Sequence, residues 1–471
     1  MSKQGYRAEA DSMGPMQVPD WALWGASTQR AVENFPVSGR GVPDTVVHAF
    51  GLLKAACAQV NKQLSLLPDH LATPIIEAAE EVASGDLDKH FVVDIYQTGS
   101  GTSSNMNANE VIANRVSQKQ DKPIGSKDPV HPNDHVNVGQ SSNDTFPTAM
   151  HIAAAMEIHN QLIPALEELH ATLDRQATQW DDIIRIGRTH LMDATPIRVG
   201  QVFAGYAAQV KFAVQRARHT FDAMRTNMPI GGTAVGTGIN THAEFGARVC
   251  RELSARTGIT FEEAANHPEA QAAKDSFVEA SGNLKTIAVS LSKIANDIRW
   301  SGSGPRCGLY ELILPAIQPG SSIMPGKINP VICESVLQVA CRVIANDVAV
   351  TYGGFGGVGS IFELNVAMPV MADAIMESIS LLANVSKIFV HKLLDDLEVN
   401  KERCAELIER SLMMVTSLAP EIGYDKAAEL AKQAFSEDKT IRELVAAAGL
   451  VDDARLAELL DPDSMTRPTE G

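Results

Sequence analysis

Residues 318–336 read QPGSSIMPGKINPVICESV, a run of hydroxyls, glycines and prolines with a single cation, Lys327, set directly before an apolar helical pattern. Ser321, Ser322, Lys327 and Asn329 are the groups there that can do chemistry. Asn329 and Pro330 predict an N-cap and first residue of a helix. Glu334 would then lie little more than one turn inside it, where the positive end of the helix dipole favours its charged form. Gly302, Gly304, Gly308 and Gly320 make residues 302–326 a candidate lid.

Three further polar segments interrupt the helical patterns. In TGSGTSSNMNANE, residues 98–110, Gly99 and Gly101 allow close backbone approach, and Ser100, Thr102, Ser103 and Ser104 offer hydroxyls at a helix start. Such a start either caps itself or binds an anion through its free N–H groups. In GQSSNDTFPTAMH, residues 139–151, Thr145 and Pro147 predict the helix start, leaving Ser141, Ser142 and Asn143 as surplus polar groups. In GRTHLMDATP, residues 187–196, Thr189 and His190 fall on a connection between two helices, and the histidine is equally a structural group or an acid/base. Upstream, HPNDHVN, residues 131–137, reads first as an Asx-turn loop.

These segments supply hydroxyls, amides, one cation and one imidazole. They contain no metal cage, no conventional nucleophile with its own base, and neither GxGxxG nor GxxxxGK[ST]. The inventory suits an anion with several carboxylate oxygens, and proton abstraction beside a carboxylate better than hydrolysis.

The 471 residues are 45% hydrophobic, 21% charged and 5% aromatic, the balance of a globular chain with sizeable cores. A formal net charge of -17 argues against nucleic acid or an anionic membrane as partner, because phosphate binding needs clustered Lys and Arg. Six scattered cysteines without a CxxC pair read as reduced thiols of a cytoplasmic protein. The N-terminal MSKQGYRAEADSMGPMQVP has no apolar h-region and is expected to be a loose tail. Every long apolar stretch is interrupted by polar residues, so no spanning helix is expected.

What must position the polar segments is a set of long helices, expected at roughly 147–178, 197–227, 269–299, 330–351 and 366–395. In the third, Ala273, Phe277, Ala280, Leu284, Ile287, Leu291, Ile294 and Ile298 recur in three- and four-residue steps, a bundle seam. The fourth, VICESVLQVACRVIANDVAV, is apolar around most of its circumference, which implies several subunits pooling helices or, alternatively, a large monomeric α-domain. The expected division is a mixed, mostly helical part at 1–139, a long-helix bundle at 140–398 and a small helical module at 399–471. Two short helices closed by Gly449 are expected in that module.

GSSIMPGKINP, residues 320–330, taken with GRTH, SSNDTFPTAMH and TGSGTSSNMNANE in that family order, resembles the fumarase and aspartase superfamily of lyases. Ser141-Ser142-Asn143-Asp144 and Pro325-Gly326-Lys327 are similar to the class II fumarases; aspartases tend to carry Ser-Thr-Asn-Asp and Pro-Ala-Lys. The likeness runs from WGASTQRAVENFP through the C-terminal module. It implies an all-α, three-domain fold with a long central helix bundle, pooled into a twenty-helix core in a homotetramer whose active sites are shared between three subunits. It also implies reversible hydration of fumarate to L-malate through an aci-carboxylate carbanion, without metal or cofactor, with aspartate ammonia-lyase as the alternative. By this resemblance Ser321 is the base, His190 handles the water that becomes the malate hydroxyl, Glu334 orients His190, and Lys327 and Asn329 hold a substrate carboxylate. Ser100, Thr102, Ser141, Ser142, Asn143, Thr189 and Ser322 would bind the dicarboxylate. His131, Asn133 and Asp134 match a second dicarboxylate site, with Asp128 standing where some relatives have a basic residue. Asn266–Ala270, NHPEA, departs from the Asn-Lys-x-Glu-Ala of many relatives.

Overall fold

The computed structural model describes residues 5–468. It is predominantly helical; its strands, among the described residues, form only four two-stranded sheets. Helices run at Ser142–Glu157 and Ile163–Gln179, joined by a single wider turn, and at Val199–Arg225, Asp275–Ser301, Val331–Gly354 and Met368–Phe389. All five expected long segments are therefore present, with shifted starts. The seam of the third is buried from Phe277 to Ile298. Ala273 lies outside that helix: a separate short helix, His267–Ala272, ends there, and the long one restarts at Asp275.

The helix Val331–Gly354 departs from the all-round burial its composition suggests. Cys333, Val336, Ala340, Val343 and Val350 are buried, but Ile344 is 42% exposed and Val348 54%. One chain thus covers one stripe of this helix and leaves a second apolar stripe open. The helical run Met368–Leu394 is long and apolar enough to cross a membrane, contrary to the expectation of no such helix; its most apolar 18-residue window has mean hydropathy 1.2, and 67% of that window is buried within the fold.

The N-terminal segment is no loose tail from residue 6 onward. Tyr6–Asp11 pairs antiparallel with Gly14–Pro19. Arg7 ties this hairpin down by donating to the carbonyls of Pro19 at 2.8 Å and Trp24 at 2.8 Å. Expected elements of the C-terminal module are present: Tyr424–Glu437 and Ile441–Ala448, the latter closed by Gly449 in the left-handed region.

The chain forms two compact units. The first comprises Met1–Pro164, Gln215–Ala288 and Cys341–Ala383, and one of its cores packs Val18, Trp24, Val47, Ile75 and Ile112. The second comprises Ala165–Val214, Val289–Ala340 and Asn384–Gly471, with a core of Ile408, Leu430, Leu444 and Leu456.

Candidate active site

In the first unit two helix starts meet. The helix Thr102–Lys119 follows Gly101, whose backbone is left-handed (φ 74°) and whose missing Cβ makes room for the Phe146 ring; an added Cβ would lie 2.0 Å from it. The helix Ser142–Glu157 is capped by Ser141 in a capping box with Asp144. This corrects the expected start at Thr145 and Pro147, and it gives Ser141 a capping role instead of leaving it surplus. Thr102 Oγ1 lies 2.7 Å from Ser142 Oγ and 2.8 Å from Ser100 Oγ. The first residues of both helices thus share a hydroxyl cluster, with two positive helix ends converging on it.

Beneath this cluster lies machinery that motif reading missed. Lys54 is fully buried and donates to Asn105 Oδ1 at 2.7 Å, Gln140 Oε1 at 2.9 Å and Asn137 Oδ1 at 3.1 Å, so each ammonium proton has an acceptor. Burial pushes its pKa down to about 8. Asp144, also fully buried, accepts from the backbone N–H groups of Ser141 at 2.9 Å, Gly231 at 3.1 Å and Thr233 at 2.8 Å. Desolvation pushes its carboxyl up to about 6, against the pull of those donors. Asp144 therefore locks the loop 230–234 to the SSND segment, and Asn143 adds a bond from Nδ2 to the carbonyl of Ala234 at 2.8 Å. The NHPEA departure buttresses the same loop: Asn266 caps its short helix, and His267 Nε2 lies 3.2 Å from the carbonyl of Ile230 and 3.3 Å from Glu263. The one signal for Lys54 in the sequence is a lone cation inside the apolar run AFGLLKAACAQV.

In the same unit, His131 Nδ1 accepts from the N–H groups of Asn133 and Asp134, each at 3.2 Å, and lies 3.4 Å from the Asp134 carboxylate. Asp128 pairs with Lys122 at 3.1 Å.

In the second unit, Ser321 Oγ accepts from the backbone N–H groups of Met324 at 3.0 Å and Ile323 at 3.2 Å. The loop closes on itself through Gly320 N–H to the Lys327 carbonyl at 2.8 Å and Asn329 Nδ2 to the Gly320 carbonyl at 2.6 Å. Asn329 thus braces the loop and does not cap the following helix, which begins at Val331. Ser322 and Lys327 are exposed, as is Ile323 at 83%. A cleft runs along the loop between Ala316, Gly320, Ser321 and Lys327.

Thr189 and His190 lie on the connection between the helices Ile163–Gln179 and Val199–Arg225, as expected, and that connection is itself ordered. Ile184–Thr189 and Met192–Arg198 form an antiparallel hairpin, and His190 and Leu191 are its exposed two-residue turn, both with positive φ (57° and 63°). That is the geometry of a type I′ turn. Among the described residues no hydrogen bond joins His190 to Glu334, which is half-buried near the start of its helix. Nor does any group of three or more His, Cys, Asp or Glu side chains among the described residues stand ready to hold a metal ion.

Residues 14–345 match the Lyase family, and residues 414–467 match the family described as Fumarase C C-terminus. The chain is 54% identical to the class II fumarate hydratase of Mycobacterium tuberculosis over 459 residues, covering 97% of this chain and 94% of the relative. The chain belongs to the class II fumarase family. The class II enzyme of Corynebacterium glutamicum is 53% identical, with 97% of this chain and 95% of that protein covered. The crystal structure of class II fumarase from Schistosoma mansoni superposes with a TM-score of 0.94 at 37% identity, over 99% of this chain and all of that one. The fumarase fold expected from the motifs is therefore the fold observed, with the small hairpins as additions to an all-α expectation.

Proposed function

We propose that the chain catalyses the reversible hydration of fumarate to L-malate by acid/base chemistry, as a step of the tricarboxylic acid cycle in the cytoplasm. The observation that carries the mechanism is the pair of N–H groups, from Ile323 and Met324, aimed at Ser321 Oγ. A serine hydroxyl is too weak a base at its ordinary pKa, but an oxyanion held by two backbone donors beside a lysine is a stronger candidate. In malate dehydration the Ser321 oxyanion takes the C3 proton. The C–H electron pair delocalises into the adjacent carboxylate, and the resulting aci-carboxylate is stabilised by Lys327 and Asn329. His190, with Glu334 orienting it, gives a proton to the departing hydroxyl, so that water leaves and the carbon–carbon double bond forms. Hydration is the same path reversed.

In this reading the hydroxyls of Ser100, Thr102, Ser141, Ser142 and Thr189, with Asn143 and Ser322, bind the dicarboxylate. The two helix starts and the buried Lys54 beneath Thr102 and Ser142 favour a dianion there. The open apolar stripe of Val331–Gly354, with Ile344 and Val348, supports a homotetramer that pools its long helices into a twenty-helix core, with each active site built from three subunits. His131, Asn133 and Asp134 would form a second dicarboxylate site. Its pull on anions is reduced by the desolvation that lowers the pKa of His131 and by the pairing of Lys122 with Asp128.

Ser321→Ala and His190→Asn test the roles. Each is expected to lower malate turnover by about two orders of magnitude or more, the scale of a lost acid or base. Full activity in both purified tetramers refutes the assignment.

A further inference from the structure

Glu311 has no part in the mechanism above, yet it is 1% exposed and carries an unusual load. Its Oε2 accepts from Arg188 Nη1 at 2.7 Å and from Arg185 Nη1 at 3.1 Å, while Oε1 is buried with no hydrogen-bond partner among the described residues. Two guanidiniums therefore converge on one oxygen, an arrangement that a full negative charge can hold and a neutral carbonyl oxygen holds poorly. Both arginines sit on the strand Ile184–Thr189, on either side of Ile186, where the hairpin register shifts. Arg188 immediately precedes Thr189, and His190 is the next residue, at the turn.

The Glu311 backbone is itself fixed. Its N–H donates to the Ser301 carbonyl at 2.9 Å, and its carbonyl accepts from Asn400 N–H at 2.9 Å. The next residues, Leu312–Ile313, pair with Glu398–Val399. A carboxylate held at both backbone atoms thus grips the last turn-facing arginine of the hairpin that carries His190. The turn has no comparable hold of its own, since Leu191 is 75% exposed and His190 is exposed.

We infer that Glu311 is a second positioning residue for His190 beside Glu334, setting the place of the imidazole through the Arg188 and Arg185 clamp on the hairpin strand. The inference rests on the reading of His190 as the group that protonates the departing hydroxyl. Without the clamp, the tip is held by its turn and the ladder pairs Arg188–Asp193 and Thr189–Met192 alone, and a shift of about an ångström in an acid costs on the order of a hundredfold in rate. Of the substrate-binding hydroxyls only Thr189 rides on the clamped strand, the others named in the first unit being outside the clamp, so the loss is expected in kcat more than in KM.

The test is a double-mutant cycle of Glu311→Gln and His190→Asn in the purified full-length enzyme, followed as malate dehydration. Glu311→Gln alone is expected to lower kcat by about 10- to 100-fold, with KM changed by less than about threefold and a larger solvent deuterium isotope effect on kcat. In the His190→Asn background it is expected to have almost no further effect, because the residue it positions is already gone. Equal losses in both backgrounds, or a lower kcat with an unchanged isotope effect, overturn the inference and leave Glu311 a purely structural ion pair. Should Glu311→Gln fail to fold, Arg188→Lys supplies the same cycle with the carboxylate intact. If the unsubstituted enzyme does not dehydrate malate, the underlying reading of His190 fails, and that outcome is separate from the result of the cycle.

Discussion

Gly320→Ala isolates the loop architecture from the chemistry of its side chains. A Cβ built on Gly320 would stand 2.3 Å from the Lys327 carbonyl oxygen, 2.9 Å from its carbon and 3.1 Å from Asn329 N. All three are backbone atoms, so no side-chain rotation relieves the overlap, and the strands of the loop must part. Parting them breaks Gly320 N–H to Lys327 O and Asn329 Nδ2 to Gly320 O. At about 0.5–1.5 kcal/mol net for each bond, the closed loop loses about 1–3 kcal/mol. That is roughly a 5- to 150-fold fall in its population relative to open forms. In the proposed mechanism Ser321, Lys327 and Asn329 act together from the closed loop, so kcat/KM for malate should fall by a similar factor. The substitution lies in a largely exposed segment away from both cores, so the melting temperature should move by less than about 2 °C. Fumarate absorbance with malate as substrate gives the first quantity and calorimetry the second. Unchanged kcat/KM would show that the loop closure seen here does not position the base, and a large drop in melting temperature would show that it supports the fold instead.

Other consequences follow from the buried groups under the hydroxyl cluster. Lys54, with its pKa pushed down to about 8, is a cation at pH 7 and neutral above pH 8, so KM for malate should rise as pH passes upward through about 8. Lys54→Met should flatten that rise; a persisting rise assigns it to another group. On stability the sign is opposite: the cost of burying the charge is present below pH 8 and is relieved between about 8 and the ordinary lysine value, because there the unfolded chain holds the proton that the folded one has lost. Asp144→Asn should turn one acceptor oxygen into a donor facing backbone N–H groups and cost about 2–5 kcal/mol, measured as a lower urea midpoint. An unchanged midpoint contradicts the role of Asp144 as the lock on the loop 230–234.

How much of this was legible in the chain depended on distance along it. Ser321, Lys327 and Asn329 lie within nine residues, and a single loop brings them together, so a contiguous motif revealed them. The long helices were legible because their apolar residues repeat at three- and four-residue steps, as from Phe277 to Ile298. Their starts were less so: Pro147 marked a false beginning, since the helix tolerates it inside and is opened five residues earlier by Ser142 under the Ser141 cap. The hairpin bearing His190 was hidden because its turn places His190 and Leu191, neither of them glycine or asparagine, at positive φ. Arg7 and the pairing partners of Tyr6–Asp11 made order from a segment whose composition suggested none. Lys54 and Glu311 were out of reach for a different reason. Lys54 meets Asn105, Asn137 and Gln140, and Glu311 meets Arg185 and Arg188, partners more than fifty and more than a hundred residues away. No local pattern encodes such meetings.

The account stands most directly on which substrate yields fumarate. Purified protein with a chelator present, offered L-malate and L-aspartate separately, is followed by the ultraviolet absorbance of the conjugated double bond. Fumarate forming from malate and not from aspartate is the predicted result; fumarate forming from aspartate at a comparable rate, or from neither, contradicts it.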